Sequence, residues 1–137
     1  MPSPSILRNR LAIASIAAAC AMLAGCAAPP AAPTGLMDVS ERPAEKALLA
    51  GLRAYDDAQY PQAEKLLTQA LDAKLASPKD RAAAHKYLAF IYCTSDRTSA
   101  CEAQFRAARA DDPAFALTKS EAGHPQWGPV YQKVQQR

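Results

Sequence analysis

From residue 43 onward, the feature that most constrains the fold is a run of helix-forming segments punctuated by prolines. Ala, Leu, Gln, Glu, Lys and Arg dominate this stretch, and no window alternates apolar and polar residues for long enough to make a strand. Proline is favoured in the first turn of a helix, where its missing N–H leaves no hydrogen bond unmade. The sequence therefore predicts one small all-α domain over residues 43–137.

Prolines and capping residues predict the helix boundaries. Pro43 and Pro61 each fit the first turn of a helix, and Ser77 precedes Pro78 as a capping residue would. The S-x-x-E sequence from Ser99 to Glu102 has the form of a capping box. The predicted helices are 43–58, 61–75, 78–94, 99–111 and a shorter one at 128–136. The first four form two helical hairpins.

Both hairpins resemble the tetratricopeptide (TPR) repeat. The matching positions are Gly51, Tyr55, Tyr60, Ala63, Leu67, Ala70 and Leu71 in the first, and Leu88, Ala89, Tyr92, Cys101, Phe105, Ala108 and Pro113 in the second. The resemblance implies a TPR-like α–α superhelix, in which small residues let paired helices approach closely. A generic four-helix bundle is the alternative, because TPR positions are degenerate and the connector 72–78 exceeds the repeat period.

A stack of only two hairpins needs an element that covers its last face. The C-terminal segment is predicted to be this cap. The apolar residues expected to pack back on the fourth helix are Phe115, Leu117, Trp127, Val130 and Val134.

Residues 1–25 have the pattern of a signal peptide. Arg8 and Arg10 precede an apolar run, 11–23, that is short for a membrane-spanning helix. The run ends in Leu-Ala-Gly-Cys at Cys26, which resembles the bacterial lipoprotein box. The resemblance implies that Cys26 becomes the acylated first residue of the mature chain, anchored by palmitate-like chains. An ordinary secretory signal that happens to contain a cysteine is the alternative.

Residues 26–42 follow as an Ala/Pro-rich tether without hydrophobic periodicity. Ala27, rather than Asp, follows the predicted lipidated cysteine. By resemblance to Gram-negative lipoproteins, this implies anchoring at the outer membrane with the helical domain facing the periplasm. Without the signal peptide, the basic and acidic residues nearly balance, which excludes the basic stripe that a nucleic-acid partner requires.

Cys93 and Cys101 flank the turn between the third and fourth predicted helices. In an oxidising periplasm, a local pair of this kind favours a disulfide. In an ideal TPR hairpin, however, the two positions lie near the Cα separation limit of about 7 Å for such a bond. Two buried free thiols are the alternative, and the absence of C-x-x-C spacing argues against a redox-active role.

The C-terminal tail narrows the resemblance further. The distinctive segments are Tyr92-Cys93, 101–105, 112–117 and, above all, 121–130 (EAGHPQWGPV). Together they look like the small TPR lipoproteins associated with type VI secretion, the TssQ type. This resemblance implies a non-catalytic accessory lipoprotein of the secretion envelope complex.

The sequence contains no motif that indicates catalysis, and its carboxylates are scattered along the predicted helices. His85 and His124 lack the further ligands that a metal site requires. The prediction is therefore no enzyme, no catalytic residue, no cofactor, no metal and no small-molecule substrate.

A protein partner is the remaining prediction, bound in the groove that TPR folds line with the first helix of each hairpin. The predicted partner-binding residues are Leu48, Leu52, Tyr55, Asp56, Lys86 and Phe90. For the three apolar residues Leu48, Leu52 and Phe90, a place in the core is the alternative. The partner is expected to be an envelope or secretion-system protein. The alternative function is that of a pilotin- or assembly-type lipoprotein that escorts another envelope protein.

Overall fold

The computed structural model describes residues 42–136, which contain six helices and no strand. The helices are α1 (Pro43–Asp56), α2 (Tyr60–Asp72), α3 (Pro78–Thr94), α4 (Thr98–Asp111), α5 (Lys119–Ala122) and α6 (Gly128–Gln135). The all-α prediction is confirmed for this part of the chain. The predicted signal peptide, Cys26 and all of the tether except Arg42 lie outside the described residues.

Four of these six helices carry a proline in their first two positions, as the sequence predicts. Ser77 caps α3 by accepting a hydrogen bond from the Asp80 backbone N–H at 3.3 Å. The prediction of a capping box at Ser99 is wrong, because α4 begins at Thr98 and has no side-chain cap. The capping box lies instead at the start of α5, where Thr118 and Glu121 bond to each other's backbone N–H.

The turns after α1, α2 and α3 each contain a left-handed residue that is not glycine. Ala58, Lys74 and Asp96 have φ angles of 57°, 61° and 58°. After α1, the N–H of Gln59 donates to the carbonyl of Ala54 at 2.8 Å, which satisfies a carbonyl in the last turn. These turns end α1 and α2 two to three residues earlier than the sequence predicts, and they reverse the chain.

Replacing Ala58 with Gly is expected to raise the free energy of unfolding by about 1 kcal/mol, because glycine adopts the left-handed conformation without a Cβ penalty. Chemical denaturation of the two proteins measures the difference. The matched control is Ala73→Gly, since Ala73 has an ordinary φ of −75°. An equal gain in both variants would show that the backbone strain at Ala58 is not the cause.

Contacts are most extensive within the pairs α1–α2 and α3–α4, which form two helical hairpins. A first hydrophobic cluster joins the α1–α2 hairpin to one side of α3, and includes Leu67, Leu75 and Leu88. Gly51 permits a close approach of α1 to α2, because a Cβ there would lie 2.9 Å from side-chain atoms of Leu67. Close packing at this small residue is what the sequence predicts.

A second cluster lies between the α3–α4 hairpin and the C-terminal residues. Its buried members are Ala89, Phe90, Cys93, Cys101, Phe105, Leu117, Tyr131 and Val134. Phe105 of α4 packs against Tyr131 of α6 with ring centroids 5.3 Å apart. The Tyr131 hydroxyl also accepts a hydrogen bond from the Leu117 backbone at 3.1 Å. These contacts place α6 against α4, as the sequence predicts for the cap. The prediction is wrong for Trp127, which stacks on Phe90 of α3 instead of packing on the fourth helix.

The disulfide between Cys93 and Cys101 is present, and joins the end of α3 to the first turn of α4. The two Cα atoms are 5.3 Å apart, well inside the range that such a bond allows. Cys101 is completely buried and Cys93 nearly so. The bond is therefore part of the second cluster and closes the turn of the second hairpin.

Candidate interaction surface

The six predicted partner-binding residues divide into a buried set and an accessible set. Leu48 and Phe90 are 6% and 3% exposed, and each belongs to a hydrophobic cluster. The alternative interpretation therefore holds for these two, because their side chains pack in the core and offer no surface to a partner. Leu52 is partly buried against the first cluster, whereas Asp56 is exposed at the end of α1.

Tyr55, the fifth residue of the set, lies at the centre of three tyrosines that we call the aromatic patch: Tyr55, Tyr60 and Tyr87. The ring centroid of Tyr55 is 5.5 Å from that of Tyr60 and 4.8 Å from that of Tyr87, both in edge-on geometry. Tyr60 is 44% exposed, and the other two are partly buried. The patch thus spans α1, α2 and α3 and connects the two hairpins at an accessible surface.

Burial raises the pKa of Tyr55 to about 12, and the neighbouring tyrosines Tyr60 and Tyr87 add to the effect. The Tyr55 hydroxyl is therefore neutral at any physiological pH and retains a proton to donate. A surface of this kind offers apolar ring area together with neutral hydrogen-bonding groups. These are the properties by which tyrosine contributes to protein interfaces.

A surface hollow of about 260 Å³ adjoins the patch between the start of α2 and the end of α3. It is lined by Tyr60, Pro61, Glu64, Ile91, Thr94, Ser95 and Arg97. At its rim, Arg97 forms two parallel hydrogen bonds with the Glu64 carboxylate, at 2.9 and 2.7 Å. This hydrogen bonding lowers the pKa of Glu64 despite its partial burial. Aromatic and charged groups thus lie side by side at this edge.

Lys86, the sixth predicted residue, is held by the C-terminal tail. Its Nζ lies 2.8 Å from Oε1 of Glu121 and 4.8 Å from the ring centroid of Tyr87. Burial raises the pKa of Glu121, but hydrogen bonds from Lys86 and the Thr118 backbone lower it by more, and the net value is below normal. The positive charge of Lys86 is thus neutralised by the Glu121 carboxylate within the domain.

Trp127 covers the rest of this side of α3. Its ring stacks on Phe90 at a centroid distance of 4.2 Å, and His124 stacks on Trp127 at 3.3 Å. The indole N–H donates to the carbonyl of Glu121 at 2.7 Å. The tail therefore occupies the α3 part of the groove predicted from the sequence, and leaves the aromatic patch as its accessible part.

Sequence reasoning missed Tyr60, Tyr87, Glu121 and Trp127 as parts of this surface. A signal existed for Tyr87, which precedes Phe90 by three residues and so shares its side of α3. The pairing of the tail with α3 had no such signal, because it joins residues more than thirty positions apart.

The two histidines take part in side-chain contacts. Nδ1 of His85 lies 2.6 Å from Gln104 Oε1, and its Nε2 lies 3.4 Å from Asp111. His124 stacks on Trp127, and its Nδ1 accepts a hydrogen bond from the Gln126 backbone. Within residues 42–136, no three His, Cys, Asp or Glu side chains are grouped as a metal site requires.

No family model, curated protein or solved structure matches the chain. Among the helices between residues 42 and 136, none has the length and apolar character needed to cross a membrane.

Proposed function

We propose that this chain is a lipid-anchored, periplasm-facing scaffold whose helical domain binds another envelope protein. The observation that carries the proposal is the aromatic patch, in which Tyr55, Tyr60 and Tyr87 combine accessible ring area with hydroxyl groups. Tyrosine is enriched at the energetic centres of protein interfaces, because it contributes large contact area and a polar group. The lipid anchor is the acyl group predicted at Cys26.

The proposed architecture is TPR-like. Two helical hairpins follow each other, with contacts between α2 and α3, and α6 covers the outer side of α4. The small residues expected at close helix contacts, Gly51, Ala63, Ala89 and Cys101, are all buried. In such an arrangement the first helices of the hairpins, α1 and α3, line the binding face. Tyr55 and Tyr87 come from these two helices.

The proposed setting is the envelope complex of a type VI secretion system, at the periplasmic side of the outer membrane. Support comes from the tail sequence resembling the TssQ-type lipoproteins. Within the domain, the segment 121–130 supplies both the Glu121 partner of Lys86 and the Trp127 cover of Phe90. The distinctive tail thus holds the domain together, which leaves the aromatic patch for the partner.

The experiment uses the full-length acylated protein, captured from membranes after crosslinking, with co-purified proteins quantified by mass spectrometry. We expect Tyr60→Glu to reduce capture of the partner at least tenfold, because it removes the most exposed ring of the patch and the loss of a hot-spot aromatic residue costs about 2 kcal/mol or more of binding. Thr68→Glu, an exposed change elsewhere on α2, is the matched control. Both variants are expected to keep the wild-type circular dichroism and melting temperature.

Unchanged capture by Tyr60→Glu, with a stable fold, would overturn the patch as the binding surface. The second candidate function is that of an escort for another envelope protein. Deletion of the gene distinguishes this function from the scaffold function. Mislocalisation of an outer-membrane protein would favour the escort, whereas a specific loss of contractile secretion would favour the scaffold.

A further inference from the structure

The exposed side of α1, away from the aromatic patch, has a composition of its own. Lys46, Leu49 and Arg53 recur at intervals of three and four residues and therefore lie on one side of the helix. With Ala50 they line a shallow hollow of about 270 Å³. Leu49 is 44% exposed, as much as any large apolar side chain between residues 42 and 136. We call Lys46, Leu49 and Arg53 the α1 outer face.

The charges of this face are not matched inside the domain. Arg81, Lys86, Arg97, Arg106 and Lys133 all form ion pairs. Lys46 and Arg53 pair with no carboxylate among residues 42–136. The same holds for Lys65 and Lys74, so the feature that distinguishes Lys46 and Arg53 is their position beside the exposed Leu49. The acidic residues of the exposed side, Asp56 and Asp57, lie together at the far end of α1. Lys46 lies in the first turn of α1, after the tether, whereas Arg53 lies in the last turn, next to these carboxylates.

We propose that the α1 outer face docks on the surface of a bilayer containing anionic phospholipid. The exposed leucine can insert among the acyl chains, and the two basic residues beside it can contact the anionic headgroups. The inference rests on the proposed lipid anchor, since Cys26 precedes Arg42 by only sixteen positions. Even a fully extended tether of that length spans only about 55 Å, so the anchor keeps the face at high local concentration near the membrane.

Docking at this face and binding at the aromatic patch are compatible. The face is formed by residues at one side of α1, whereas Tyr55 directs its ring to Tyr87 of α3. A domain that lies on the lipid through α1 therefore leaves the patch accessible to a protein partner. The acidic pair Asp56 and Asp57 follows Arg53 and disfavours close approach of the turn after α1 to an anionic surface.

The test reconstitutes full-length acylated protein in vesicles of phosphatidylcholine, with or without phosphatidylglycerol. Leu49→Trp places a fluorophore on the α1 outer face. The wild type contains a single tryptophan, Trp127, so subtracting the wild-type fluorescence from that of the variant gives the emission of the added tryptophan. We expect lipids with a spin label near the headgroup to quench this added emission in vesicles with phosphatidylglycerol, and 0.5 M salt to restore it.

Charge reversal provides the matched comparison. Each Lys or Arg beside an anionic surface raises the docked-to-free ratio about fivefold, so adding Lys46→Glu and Arg53→Glu lowers it at least about twenty-fivefold and abolishes quenching. Adding Lys65→Glu and Lys74→Glu instead makes the same change in net charge on the exposed side of α2 and its turn. That control is expected to remain quenched.

Three results would overturn the proposal. Protein that floats with the vesicles yet shows no quenching overturns the docking alone and leaves the anchored scaffold standing. Quenching that appears only in native membranes, and not in protein-free vesicles, assigns the face to a protein instead. A chain that incorporates no palmitate and behaves as Cys26→Ser overturns both the docking and the proposed anchor.

Discussion

The Trp127→Ala variant is expected to lose about 3 kcal/mol of the free energy of unfolding. Truncating a packed tryptophan removes its transfer free energy and leaves a cavity, and Trp127 is only partly buried, which places it at the low end of the usual range. The variant loses the stack on Phe90, the stack with His124 and the hydrogen bond to the Glu121 carbonyl. The stack on Phe90 joins the tail to α3 beside the Lys86–Glu121 ion pair, and the other two contacts hold Trp127 within the tail.

Denaturation with urea measures the loss, and Trp127→Phe is the matched control. The phenyl ring keeps an aromatic contact with Phe90 but loses the hydrogen bond and part of the ring area, so a loss of about 1.5 kcal/mol is expected. Hydrogen exchange adds a second measurement, in which residues 119–135 of the Ala variant exchange faster than α1 and α2. Equal losses in the Ala and Phe variants would show that the stack does not hold the tail.

The helices of this domain are predictable from the sequence because their determinants are local. Proline in the first turn defines the starts of α1, α2 and α3, and a preponderance of strong helix formers defines all of α1 to α4 within a few residues. The ends of α1 and α2 are less predictable, since the chain reverses at Ala58 and Lys74 without the glycine that usually marks such turns. The strong helix formers around these two positions therefore extend the predicted helices beyond their observed ends.

The candidate surface is less predictable, because α3 is packed on several sides. It contacts α1, α2 and α4 and is also covered by Trp127, and its residues 88–91 are all buried. A helix that is apolar on most sides has no hydrophobic periodicity from which to assign a solvent-facing side. Phe90 therefore fits a groove and a core equally well by sequence, and only the position of the distant tail decides between them.

Removal of the disulfide is the second change expected to lower the free energy of unfolding substantially. Cys93→Ala combined with Cys101→Ala should lower the free energy of unfolding by about 2.5 kcal/mol, which is the loop-closure entropy of a bond spanning eight positions. The unfolded chain gains the conformations that the bond excludes. Because both residues lie in the second cluster, the loss is expected first at the end of α3, the following turn and the start of α4.

Urea denaturation with and without a reducing agent measures this contribution. The wild-type protein with its disulfide reduced should lose a similar amount, whereas the double variant should not respond to the reducing agent. The Arg97–Glu64 hydrogen bonds anchor the same turn to α2, and so they limit how far it opens in the native state. If reduction left the wild-type stability unchanged, the loop-closure argument would fail, and the turn would be held by packing and by Arg97 alone.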